Sequence, residues 1–190
     1  MTLGKYSESQ TYAQALIEVL ALARIEEESL GAARAAQFVF KPAFHPECAI
    51  SVIERSEQSE VVVRVALRSV WQHLNQRPGA EVMAPSLVAP GLSVQRVPGT
   101  AASTEAYRAA LDGLLAPSTQ PALALDGMGV DIAIARDSGV VRHQCHSASA
   151  SAAERRLICE AIALARELAR WESTQAALIN LKEYLMACDV

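Results

Sequence analysis

An α+β fold with a predominantly antiparallel sheet of about five to seven strands, with long N-terminal and C-terminal helices packed against it, is what this sequence predicts. Apolar residues recur at steps of three and four near both ends of the chain and at steps of two in its first and last thirds. The strand-like runs follow one another through glycine turns, as hairpins do, and do not alternate with helices as in a wound parallel sheet. At 190 residues, 51% of them hydrophobic and 20% charged, the chain can bury a core without disulfides or metal. A single domain spanning residues 1–190 is expected.

Helical spacing begins at Ser7, with Tyr12, Leu16, Val19, Leu20 and Ala23 on one face, and Ser7 with Gln10 fits a capping box. These signals predict one helix over about 7–35, with Glu26, Glu27 and Glu28 on its solvated flank and Gly31 weakening its last turns. From Phe38 the period becomes two. Pro42 and Pro46 confine the next stretch to an edge or a turn, and Cys48, Ile50 and Val52 then alternate up to a polar run at 54–60. Val61, Val63, Val65 and Leu67 return as the second strand of a hairpin. Val70, Gln72 and Leu74 either extend it or start a short new element.

Six of the eight prolines lie between Pro78 and Pro121, so this stretch holds no long regular element. Within it the pattern predicts a short strand over 92–97 and a helix over 103–115, with Tyr107, Leu111 and Leu114 inward and Pro117 ending it. Three strands follow at 121–125, 130–134 and 141–145, separated by turns at Asp126-Gly127 and Asp137-Ser138-Gly139. Ser151 and Glu154 form a capping box before an amphipathic stripe running from Leu157 to Leu168. One helix over 152–187 would be about 54 Å long, more than the roughly 40 Å width of such a domain. A break is therefore expected near 172–174, with Leu178, Leu181 and Leu185 inward beyond it.

Several functional classes are disfavoured. The first eight residues carry charge and hydroxyls where an export signal needs an apolar run, and 13–25 is broken by Glu18 and Arg24 and falls short of a span of roughly 20 apolar residues. Cys48, Cys145, Cys159 and Cys188 lie far apart, which fits free thiols in a cytoplasmic protein. A net charge of −4 argues against nucleic acid.

The residues nearest to a metal signature are His45, Cys48, His143 and Cys145, which converge only if the first and last hairpins are neighbours. Strand parity opposes a compact knuckle, because 143 and 145 share a face and 146 points away. His45-Pro46-Glu47 matches half of a zinc-deaminase motif whose Pro-Cys-x-x-Cys half is missing. Gly127-Met128-Gly129 lacks the third glycine of a dinucleotide site, and neither a P-loop nor a Gly-x-Ser-x-Gly elbow occurs. Asp126, Asp131 and Asp137 read as turn and surface positions, and Arg64 and Arg68 as charges on a solvated sheet face. No catalytic residue, metal or cofactor is assigned, and the purified protein is expected to hold no stoichiometric zinc.

Charge asymmetry points elsewhere. Residues 1–60 hold five basic and nine acidic residues, while the remainder balances at twelve of each. Glu26, Glu27 and Glu28, together with Glu54, Glu57 and Glu60 at the hairpin tip, would form one negative surface if helix and hairpin packed side by side. Such a surface would steer a basic protein partner.

Residues 123–170, with Leu125-Asp126-Gly127, a hairpin, the serine-rich turn 147–151 and an amphipathic helix, resemble small bacterial immunity proteins. The resemblance covers about a quarter of the chain. It implies a non-enzymatic protein that binds and neutralises a cognate toxin, and it transfers no functional residue. The order helix, strands, helix, strands, helix is also similar to the small acidic chaperones of bacterial type III secretion. That likeness implies a homodimer holding an effector segment. A metal-dependent enzyme using the His and Cys residues above is the third alternative.

Overall fold

A computed structural model describes residues 8–56, 58–75, 90–114 and 127–186. In chain order the elements are α1 (Glu8–Val19), α2 (Ile25–Glu28), β1 (Arg34–Pro42), β2 (Cys48–Glu54), β3 (Ser59–Ala66), α3 (Val70–Asn75), β4 (Leu92–Gly99), α4 (Ala101–Asp112), β5 (Met128–Arg136), β6 (Gly139–His146), α5 (Ala152–Leu168) and α6 (Glu172–Met186). The six strands form one sheet in the order β4-β3-β2-β1-β5-β6, and every pairing is antiparallel. The fold is thus α+β on an antiparallel sheet, within the strand number expected. No helix among the described residues is long and apolar enough to cross a membrane.

Both faces of the sheet are covered. Ala36, Phe38 and Phe40 of β1 join Ile50, Val63 and Ile132 beneath Tyr107 of α4, Leu157 and Ile158 of α5, and Leu178 of α6. The opposite row, Val39, Ala49 and Ala66, meets Leu16 and Leu20 from the α1 region and Val70 of α3. Ile25 of α2 packs with Ala35, Ile53 and Val62. Helices on both sides explain why every residue of β2 is buried and why its sequence reads as an apolar run with little polar alternation. Phe38 and Phe40 are fully buried, each contributing about 2–3 kcal/mol relative to an exposed ring.

The predicted helix over 7–35 is corrected. It is a 12-residue helix, a single turn and the start of β1. Ala21 takes a positive φ of 47° and the Leu22 N–H donates to the Ile17 carbonyl, so α1 closes with a left-handed residue as glycine usually does. No glycine marks this end, so the sequence carries no stop signal there. The proposed Ser7 cap and the strand 121–125 lie outside the described residues.

The ambiguous stretch after β3 is α3. Helix α4 starts at the Thr100 cap, whose side chain accepts from the Ser103 N–H, two residues before its expected start. The Ser151–Glu154 capping box is present. The break in the last helix comes at residues 169–171, just before its expected place, and the Gln175 amide caps it by donating to the carbonyls of Arg166 and Ala169, both at 2.6 Å.

Tyr107 is buried edge-on to Phe38 with ring centroids 6.4 Å apart, yet its hydroxyl finds no hydrogen-bond partner among the described residues. Burial also pushes its phenol up, keeping it neutral. Leaving a buried hydroxyl unmet costs about 1–3 kcal/mol. Tyr107→Phe is therefore expected to equal or exceed the wild type in urea unfolding. A loss above about 1 kcal/mol would mean that the hydroxyl is satisfied.

Candidate binding site

The six glutamates do not form one surface. Glu54 continues the row of Ile50 and Val52 and so points to the α4 side of the sheet, where it pairs with Arg34 at 2.6 Å and Arg108 at 3.1 Å. Glu26, Glu27 and Glu28 belong to α2 on the opposite side. The expected single surface is corrected on this point, because sheet parity puts Glu54 on the face opposite α2, whereas Glu60, in the row of Val62 and opposite Ile53, lies on the α2 face. Glu28 is buried against Arg64 on β3, and Glu26 is paired with Arg142 on β6. Glu60 lies between Arg96 at 3.2 Å and Arg55 at 3.7 Å. Glu27 is exposed, and Glu57 is outside the described residues. Arg64, read from sequence as a solvated charge, is only 3% exposed and also donates to Ser51.

The His and Cys residues do not converge either. Cys48 on β2 and Cys145 on β6 are separated by β1 and β5, about 14 Å at the usual strand spacing. His45 Nδ1 lies 3.0 Å from the Tyr184 hydroxyl, and His143 Nε2 meets the buried carboxylate of Glu154. Burial pushes the Cys48 thiol up to about 12, and burial with the charges of Glu154 and Asp131 does the same at Cys145. Metal binding and nucleophilic attack both require thiolate, which these surroundings oppose. Among the described residues no group of three or more His, Cys, Asp or Glu could hold a metal ion.

An open feature lies elsewhere among the described residues. Between α1 and the β1-β5-β6 part of the sheet lies a cleft of about 690 Å³, walled by Leu16 and Ile17 and floored by Val39, Asp131, Ala133 and Arg142. Leu16 is anchored in the core, while Ile17, one residue on, is 48% exposed. The polar groups of the floor are held in place: Asp131 accepts from Lys41 Nζ at 2.5 Å, and Arg142 donates to both Glu26 oxygens at 2.7 and 2.8 Å. The Arg142 guanidinium holds the Glu26 carboxyl below the usual carboxylate range. An apolar surface framed by fixed charges is suited to binding, with burial supplying affinity and the charges orientation.

Sequence reasoning assigned Asp131 to an exposed strand face and did not consider Ile17 or Arg142. The alternation of Asp131 with Val130 and Ile132 was legible. That α1 leaves part of this face open was not, because it depends on where α1 ends. Fold and cleft together define a class: an antiparallel-sheet scaffold, helix-covered on both faces, with an open trough beneath α1 among the described residues. No family model, curated protein or solved structure matches the chain.

Proposed function

We propose that this chain is a non-enzymatic binding protein that holds an apolar segment of a partner polypeptide in the cleft beneath α1. The supporting observation is the half-exposed Ile17 in a cleft whose floor combines Val39 and Ala133 with the ion-paired Asp131 and Arg142. Of the two partner classes suggested by resemblance, an extended client of the secretion-chaperone type suits an open trough. A basic toxin surface is supported less, because four of the six glutamates that would attract it, Glu26, Glu28, Glu54 and Glu60, are engaged by arginines. Immunity-type neutralisation then requires the toxin to offer a protruding apolar element.

The test is Ile17→Glu, which places a charge in the cleft at a position whose side chain is half in water. Partner capture from the native host is expected to fall by on the order of a hundredfold in affinity, with the thermal midpoint little changed. Equal affinity of variant and wild type for the captured partner would remove the cleft from the function. Whether that partner is bound folded or extended separates the toxin from the client.

A further inference from the structure

We infer that the partner segment binds by adding to the free edge of β6 as a further strand, an inference that rests on the cleft reading above. Strand β6 ends the sheet, and no described strand lies beyond it. The pairing with β5 sets which of its backbone groups take no part in that pairing. Ser147 N–H donates to the Met128 carbonyl, and Arg136 stands opposite Gly139 across a two-residue turn. Antiparallel ladders bond at alternate pairs, so Gly139, Val141, His143 and Cys145 turn their N–H and C=O groups toward β5. Val140, Arg142 and Gln144 turn theirs outward, whereas the His146 carbonyl accepts from the Ser149 and Ala150 N–H groups.

The same alternation places the side chains of these outward-bonding residues on the cleft face, and Arg142 and Gln144 line the cleft. A strand laid along β6 would therefore satisfy its backbone groups and, at the positions opposite Arg142 and Gln144, direct side chains to the cleft mouth. Intervening positions would lie on the other face beside Val141, which is 50% exposed. The opposite edge of the sheet is less suited, since β4 carries Pro98, which has no N–H to offer. No proline interrupts β6. The chemistry selects an extended peptide with apolar side chains at every second residue.

A short capped peptide alternating valine with serine and glutamate is the probe, read by calorimetry and by hydrogen exchange at single amides of the full chain. Binding is expected to slow exchange at Arg142 and Gln144 by on the order of tenfold or more. Gln144→Pro removes one outward N–H and no bond to β5, and should weaken binding about tenfold. If that variant does not fold, exchange in the wild type decides. Peptide bound with Arg142 and Gln144 unprotected overturns strand addition while leaving the cleft reading intact. Protection that survives Ile17→Glu supports strand addition and overturns the cleft reading. No binding to the wild type, or a homodimer already paired through β6, overturns strand addition.

Discussion

Glu47→Ala is expected to lower unfolding stability by about 3 kcal/mol or more. Glu47 is completely buried in the connection between β1 and β2. One carboxylate oxygen accepts the Val70 N–H at 2.7 Å, and the other accepts the Trp71 N–H and the Tyr12 hydroxyl, both at 2.9 Å. The side chain thus starts α3 and ties down α1, which Tyr12 also braces by an edge-on contact with Trp71. Removing it leaves two amides and a phenol unmet, each at about 1–3 kcal/mol before any relaxation. Glu47→Gln keeps one acceptor oxygen but faces the second group of donors with an NH₂, so an intermediate loss is expected. Urea denaturation of wild type, Gln and Ala should rank in that order. An Ala variant within about 1 kcal/mol of wild type would show that water replaces the carboxylate. Loss of this anchor would also loosen the α1 wall of the cleft.

Arg64→Met should cost about 3–5 kcal/mol, and the reason lies in its partner. Glu28 and Arg64 have side chains only 7% and 4% exposed, and Gln37 donates a further bond to the Glu28 carboxylate at 3.2 Å. Removing the guanidinium strands a carboxylate between α2 and the sheet, where its desolvation is uncompensated. Glu28→Leu combined with Arg64→Met should recover most of the loss, because two apolar side chains replace two charges together. Additive effects of the two substitutions in a double-mutant cycle would show that the pair is not coupled. This cycle also bears on function: a glutamate whose charge is needed inside the fold is not available to a basic partner.

Much of this architecture was readable without coordinates because it is encoded locally. The Ser151–Glu154 box acts over three residues, the β5–β6 turn over two, and the period-two runs of β2 and β3 over their own length. These signals placed the hairpins, the α4 and α5 regions and the inward leucines of α6. Local signals failed where the chain ends a helix without the customary residue, as at Ala21, whose left-handed conformation is sustained by packing around Leu20 and Leu22.

By itself, then, the sequence determined that the protein is α+β with an antiparallel sheet, and where most of its strands and helices lie. Only the tertiary structure decided that β1 pairs with β5 across about ninety residues, that the sheet is covered on both faces, and that Glu54 and Glu28 lie on opposite sides of it. It alone revealed the cleft and, among the described residues, the unpaired edge of β6. The physical reason is range: periodicity and caps act within a few residues, whereas strand order, ion pairing and cavities arise from contacts between segments remote in sequence, and a period-two pattern does not say which neighbour or which face each strand will find.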